Sequence, residues 1–331
     1  MFNQLSLFET VPKSLRQYEG YIKENQLRVD YRLIHDLNNF KTPLRYPGGK
    51  AHAIHKLLPL MPKLNTFSEY RELFLGGGSM AIALTKQDPK LKIMVNDYFE
   101  PLYNFWRNLQ SKGHELQEEV FKLKKNCGVR PRGTKDKDKE KRWDKTAALF
   151  NKCKQAIMTD KGNSFERAVA FYVINRVSFS GLTATSSVSK SCTDSHFTLH
   201  SIFRLSAYKE LIKNWQITNK SYEELLTDNK KTFIYLDPPY EFEKSKYTTK
   251  GSLQVYGKSG SVSKAFKHNT FSENIKNIKC KCMISYNDSK EIKSRFDKWK
   301  PITFAHRYSM KSVGDYMKNQ KKRNELVLVN Y

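Results

Sequence analysis

An apolar run that meets two prolines sets the first constraint on this chain. Residues 231–240 read KTFIYLDPPY. The stretch through Leu236 suits a buried strand of about six residues. Proline has no amide N–H and cannot continue a central strand, so the chain must leave the sheet at Pro238. Asp237 and Tyr240 then stand at the strand's carboxyl edge, where α/β sheets place their ligands.

Residues 41–106 have the cadence of an α/β unit that can flank such a strand. KTPLRYPGGK (41–50) is a Pro/Gly loop, and AHAIHKLLPLM (51–61) has helical spacing, with Ile54, Leu57, Leu58 and Met61 on one face. TFSEYRELF reads as a strand that runs into Gly76, Gly77 and Gly78. SMAIALTK reads as the following helix, and LKIMVND as the next strand, closing on Asn96 and Asp97. Glycine at such a turn permits positive φ and close approach of a ligand to the backbone. Asp97 follows Gly78 by nineteen residues, a spacing that suits a carboxylate accepting both ribose hydroxyls of a nucleoside cofactor. A triple glycine also makes ordinary turns, and an Asp after a strand also caps helices, so spacing alone leaves both readings open.

Composition narrows the partner. Lys and Arg number 59 against 33 Asp and Glu, a formal charge of +26. So large an excess disfavours an enzyme that avoids polyanions and points to a partner covered in phosphates. The hydrophobic fraction of 39% still suffices for a core. No apolar run approaches the roughly 20 residues that a membrane span needs. The opening MFNQLSLFET is too short and polar for a signal peptide, and five cysteines without zinc-type pairing fit a reducing, cytoplasmic compartment. The eight histidines are scattered, and His196 and His200 lack a metalloprotease glutamate between them, so no metal site is expected.

The middle of the chain reads differently. Residues 107–167 look helical and basic, and RPRGTKDKDKEKRWDK (130–145) looks like a solvated loop. AVAFYVINRVSFSGL (168–182) is an apolar helix or strand that turns at Ser180–Gly181, and TATSSVSKSCTDS (183–195) is a small, polar loop. SGSVSKAFK (259–267) is loop-like, while IKCKCMISYND (278–288) and NELVLVNY (324–331) read as late strands.

The Asp-Pro-Pro-Tyr tetrapeptide carries a specific chemistry. The lone pair of an exocyclic amine on a planar base is delocalised into the ring, so the amine is a poor nucleophile. The Asp237 carboxylate can accept one of its N–H groups and the Pro238 carbonyl the other. Two acceptors off the ring plane favour a tetrahedral nitrogen, which regains its lone pair. Tyr240 can stack on the base, and the prolines fix the carbonyl direction. The gain is preorganised electrostatics and orientation toward an electrophile. The same four residues could also be a plain turn after a strand.

Taken together and in this order, LRYPGGK (44–50), ELFLGGGSM (72–80), VND (95–97), NRVSFSGL (175–182), SYEELL (221–226), YLDPPY (235–240), SYND (285–288) and NELVLVNY resemble the Dam-like DNA adenine-N6 methyltransferases. In that family the glycine loop precedes the recognition segment and the DPPY follows it. The resemblance runs from about Leu44 to the C-terminus. It implies a Rossmann-like, S-adenosylmethionine-dependent α/β domain with a mixed sheet. Residues 41–106 and 215–331 would form that discontinuous domain, and 107–214 a mostly helical target-recognition domain with a β-hairpin. Tyr46, Lys50, Phe74, Gly76, Gly77, Gly78 and Asp97 would line the cofactor, Ser221 and Tyr222 would flank its adenine, and Asp237, which would also reach the cofactor, would act with Pro238 and Tyr240 in the reaction. The target adenine would be flipped out of duplex DNA, because its amine is otherwise paired. Asn175, Arg176, Phe179 and Ser180 would meet DNA at a hairpin tip, with Phe179 and Ser180 at the wedge positions and Arg176 beside them. Phe179 could equally be core.

Two departures qualify the resemblance. Asp97 is followed by Tyr98 and Phe99 where the family has Asp-x-Asn, and the segment after NRVSFSGL lacks the pattern of GATC-specific members. The expected activity is site-specific adenine-N6 methylation of double-stranded DNA within a restriction–modification or phage–host defence system, on the nucleoid. The alternatives are a catalytically silent DNA-binding protein of the same fold, or the same transfer onto RNA or a protein amide. Cytosine carbon-5 chemistry needs a Pro-Cys nucleophile, and no such dipeptide occurs. Residues 1–40 read as an arm whose Gln4-Leu5-Ser6-Leu7-Phe8 resembles the peptide that docks on the replication sliding clamp. An arm that folds back on its own domain is the competing reading.

Overall fold

The computed structural model describes residues 41–46, 48–130, 137–181, 187–241, 266–306 and 323–331. The N-terminal arm, with Gln4 to Phe8, lies outside the described residues, as do Pro47 and most of SGSVSKAFK. Two compact units emerge. One joins Phe40–Tyr103 to Asn214–Tyr331, and the other holds Asn104–Lys213.

The first unit is built on a seven-stranded mixed sheet. Its strands are β1 (Glu69–Glu72), β2 (Lys92–Asn96), β3 (Gln216–Thr218), β4 (Thr232–Leu236), β5 (Lys281–Asn287), β6 (Lys300–His306) and β7 (Arg323–Val329). Their spatial order is β3-β2-β1-β4-β5-β7-β6. The first five pair in parallel, and β7 inserts antiparallel between β5 and β6. From β1 the chain winds outward through β2 to β3, and from β4 it winds the other way. The winding therefore reverses between β1 and β4, and the crevice outside their carboxyl ends is the place where doubly wound sheets bind ligands. This is a Rossmann-like α/β architecture.

The local reasons are visible in the residues. All of TFIYL in β4 is buried, as a central strand covered on both faces must be. Ile234 and Leu236 pack with Ile284, Leu326, Leu328, Phe271 and Trp299 in one core cluster. β1, Glu-Tyr-Arg-Glu, is central despite its charges. Arg71 satisfies itself on Glu69 at 3.0 Å and on the Leu225 carbonyl at 2.7 Å. The sequence reading passes over β3, which has three residues, and β6, whose Pro301 is tolerated because the strand lies at the sheet edge.

The expected single helix over 51–61 is instead a short α1 (Ile54–Leu57) between 3₁₀ turns, with Pro59 in the second. Ile54 and Leu57 are buried, whereas Leu58 and Met61 are half-buried. Proline at 59 removes the amide that a longer helix would need. The glycine turn leads as expected into α2 (Ser79–Gln87).

The second unit is helical: α3 (Glu100–Cys127, entering from the first unit), α4 (Lys139–Met158), α5 (Ser164–Val177), α6 (Lys190–Ser195), α7 (Leu199–Phe203) and α8 (Leu205–Leu211). Asn163 and Glu166 form a reciprocal capping box that starts α5. Phe105 stacks on Tyr172 at 5.9 Å, and Phe121 packs on Phe203 at 5.5 Å. Two loop expectations are corrected here. The charged stretch from Lys139 onward is helix, because Arg142 is buried and paired with Asp194 at 3.1 Å. The polar segment at 190–195 is also helix, carrying buried Cys192 and Thr193. Among the described residues, no helix is long and apolar enough to cross a membrane, and no group of three or more His, Cys, Asp or Glu is placed to hold a metal ion.

Candidate active site

The ends of β1, β2 and β4 converge at the reversal point. β1 and β4 run side by side with Glu72 opposite Tyr235, so the glycine turn and Asp237 leave the sheet at adjacent positions. The turn itself is tight. Gly78 N–H bonds the Leu75 carbonyl at 2.8 Å, and Leu75 N–H bonds the Asn96 carbonyl of β2 at 2.8 Å. Gly76 and Gly78 adopt left-handed φ values of 49° and 70°, which explains glycine at both. Tyr46 covers the turn: a Cβ on Gly76 would lie 2.7 Å from its ring.

Asp97 ties β2 to that turn. One carboxylate oxygen accepts the Gly76 N–H at 2.9 Å and the other the Phe99 N–H at 3.0 Å. Burial pushes its carboxyl up to about 6 against the pull of those two amides. Each oxygen retains a second lone pair, so the group can still accept two hydroxyls. Phe74 faces Tyr222 at 5.6 Å, which forms an aromatic wall beside the turn. Ser221 caps the short 3₁₀ turn Tyr222–Leu225 with Glu224, and the Tyr222 hydroxyl accepts from Asn274 at 3.2 Å. Burial raises the Tyr222 phenol to about 12, so it stays protonated.

The Asp-Pro-Pro-Tyr loop meets Lys50. Its ammonium, only 4% exposed, contacts both Asp237 oxygens at 2.7 Å and the Gly48 carbonyl at 3.0 Å. It lies 3.5 Å from Glu325 and 5.0 Å from the Tyr240 ring centroid. The Tyr240 hydroxyl donates to Glu325 and is also within hydrogen-bonding reach of Asp237. Tyr286 stacks on the Tyr240 ring at 5.8 Å. Pro238 is buried. Beyond the loop, Asn287 donates to the Glu241 carbonyl at 2.9 Å, and Arg295 forks onto the Glu241 carboxylate. Burial would lower the Lys50 pKa, but Asp237 and Glu325 more than offset it and the group is held above its ordinary value. Burial raises Asp237 to about 6, with Lys50 opposing and Glu325 reinforcing that rise. One ammonium against two carboxylates leaves the cluster with excess negative charge, which favours a cationic ligand.

The sequence has counterparts among known proteins. Residues 46–311 match the family described as D12 class N6 adenine-specific DNA methyltransferase. The chain belongs to this family. The methyltransferase is also 24% identical over 211 residues to the Type II methyltransferase M.MjaIII of Methanocaldococcus jannaschii, which covers 60% of this chain and 68% of that relative. It is a site-specific, DNA adenine-N6 methyltransferase.

In the methyltransferase's helical unit, Asn175 and Arg176 are engaged internally. Asn175 is buried and donates to the Gly181 carbonyl at 3.1 Å. Arg176 forks onto the His196 carbonyl at 2.9 and 2.7 Å. Asn175 thereby braces the turn that carries half-buried Phe179, and Arg176 ties the end of α5 to the residue that follows α6. The expected hairpin is seen as one antiparallel bridge, Ser178 to Val188, flanked by bonds from Phe179 N–H to Ser187 and from Ser189 N–H to Val177. Residues 182–186 lie outside the described residues. Sequence reasoning missed two acids of the methyltransferase's sheet. Glu72 accepts the Tyr70 hydroxyl at 2.9 Å and the Ala81 N–H at 2.8 Å. Glu325 is fully buried. Each stands directly before an apolar run, residues 73–75 and 326–329, which is the signal that marked them.

Proposed function

We propose that the crevice between the glycine turn and Asp237 holds S-adenosylmethionine and an extruded adenine side by side. The observation that carries this reading is the Lys50–Asp237 contact at 2.7 Å at the reversal point, next to the Asp97-braced turn. The residues present fit such a cofactor. Asp97 has two acceptor sites to spare for ribose hydroxyls, Phe74 and Tyr222 offer a stacking wall, and the excess negative charge around Lys50 suits a sulfonium. When bound, the cofactor supplies an electrophilic methyl group.

The protein's own residues then act on the amine. Asp237 accepts one N–H, and the Pro238 carbonyl accepts the other. Together they draw the nitrogen toward a tetrahedral shape and free its lone pair for in-line attack. Tyr240, fixed by Glu325 and Tyr286, closes the base against the loop. Tyr46 and the turn at Gly76, Gly77 and Gly78 keep the cofactor side narrow, and Ser221 holds the turn that presents Tyr222. Phe179 and Ser180, on the turn that Asn175 braces and with Arg176 beside them, enter the duplex and support base flipping. The Lys and Arg of 107–167 and 184–220 contact phosphates, which position the protein without specifying sequence. We assign the enzyme to a restriction–modification or related defence setting with a target other than GATC. Gln4–Phe8 remains a proposed clamp-docking peptide outside the described residues.

The test is methyl transfer from labelled S-adenosylmethionine to mixed-sequence duplex, single-stranded DNA and RNA, with Asp237→Ala as the paired variant. Transfer to duplex that Asp237→Ala abolishes while duplex binding persists supports the reading. Binding without transfer by the parent protein would establish the silent DNA-binding alternative. Sequencing DNA from expressing cells for methyladenine and its flanking bases gives the target.

A further inference from the structure

Glu325 lies beyond the segment that matches the family, yet it touches the centre of the candidate site. Its place follows from topology. β7 runs antiparallel to β5, with Glu325 opposite Asn287 at the end of β5. The start of β7 therefore reaches the same edge at which the parallel strands end. The side chain there is fully buried, and the rest of the strand beyond it is only Leu and Val. A buried carboxylate is costly unless it is paired, and Glu325 is paired twice on one oxygen, with the Lys50 ammonium at 3.5 Å and with the Tyr240 hydroxyl.

The resting contacts pose a problem for the reaction. Both Asp237 oxygens sit on Lys50. For Asp237 to accept an N–H from the base, at least one oxygen must turn away. Lys50 would then lose an acceptor inside a buried pocket, which is expensive unless another waits nearby. We propose that Glu325 is a positioning residue whose carboxylate retains the Lys50 ammonium and the Tyr240 hydroxyl while Asp237 turns to the substrate amine. The inference rests on the reading that Asp237 carries the reaction.

The experiment compares Glu325→Gln, Glu325→Asp and Asp237→Ala in the full chain. Melting temperature, labelled-cofactor affinity by equilibrium dialysis, and kcat and KM with saturating duplex are measured across pH. Glu325→Gln is expected to lower kcat about tenfold or more while both KM values stay within about threefold, because orientation rather than binding is lost. The acidic limb of its kcat profile is expected to move to lower pH, since one of the carboxylates facing Asp237 has been neutralised. Lys50, Tyr240, Tyr235, Tyr70 and Glu72 still face it. Parental kcat with an unmoved limb overturns the inference, as does a lower melting temperature with parental kcat per folded molecule. If Glu325→Gln fails to fold, Glu325→Asp decides: its retracted carboxylate cannot keep both partners, so parental kcat in that variant overturns the inference and a loss with unchanged melting supports it. Active Asp237→Ala overturns the underlying reading and the inference with it. Inactive Asp237→Ala beside parental Glu325→Gln overturns the inference alone.

Discussion

Replacing Glu72 by Gln should stabilise the protein at neutral pH and do little in mild acid. Glu72 is 3% exposed at the end of β1, and burial lifts its carboxyl from 4.5 to about 8 against the hydrogen bonds from Tyr70 and Ala81. A folded-state value above the unfolded one gives a contribution that is fully present below 4.5 and lost as pH rises toward 8. Above 4.5 the unfolded carboxyl is ionised, while the folded one must take up a proton. That uptake costs about 1.4 kcal/mol per pH unit, so the penalty is on the order of 3 kcal/mol at pH 7 and under about 1 kcal/mol at pH 5. Glutamine is neutral throughout, and its carbonyl can still accept from Tyr70 and Ala81. Its extra N–H adds a cost of about 1 kcal/mol at every pH, so the change between pH 5 and 7 is the clean quantity. Urea unfolding of parent and Glu72→Gln at both values should show the variant gaining about 2 kcal/mol on the parent over that interval. Parallel stability curves would refute the reasoning, because they would mean that Glu72 is ionised or solvated in the folded protein.

Gly76→Ala should destabilise the protein by about 1–2 kcal/mol, since the site has left-handed φ and the new methyl would meet the Tyr46 ring at 2.7 Å. Thermal unfolding measures that loss, and equilibrium dialysis should show weaker cofactor binding. Cofactor affinity should fall about tenfold as pH drops from 7 to 5, because Asp97 protonates near 6 and loses an acceptor. Asp97→Asn should bind weakly with no such pH dependence, and a retained slope would place the titration elsewhere. Duplex affinity should drop about a hundredfold between low and physiological salt as Lys and Arg displace counterions. A flat salt series in a fluorescence-anisotropy titration would remove the phosphate argument.

The elements that flank the crevice were legible because their signals are local. Six buried-looking residues ahead of Pro238 mark β4, three glycines mark the turn, and the spacing to Asp97 marks the end of β2. Pattern alone gave an α/β unit, and the mixed sheet was implied by the family resemblance. At one failure a distant partner had decided the outcome. Residues 130–145 looked like a solvated loop, yet from Lys139 they are helix, with Arg142 buried against Asp194 fifty-two residues away. The helix expected over 51–61 was broken by Pro59, a local signal that was present and outweighed by the apolar spacing.

The order of residues along the chain determined the chemistry on offer: a carboxylate followed by two prolines and a tyrosine, a glycine turn, an acid nineteen residues beyond it and a lysine in a Pro/Gly loop. Tertiary structure alone decided who meets whom. The antiparallel insertion of β7 brings Glu325 to Lys50, 275 positions away in the chain, and pairing of β1 with β4 sets Asp237 beside the glycine turn. Period and propensity act over a few residues, whereas a buried ion pair forms only when packing removes two distant charges from water together.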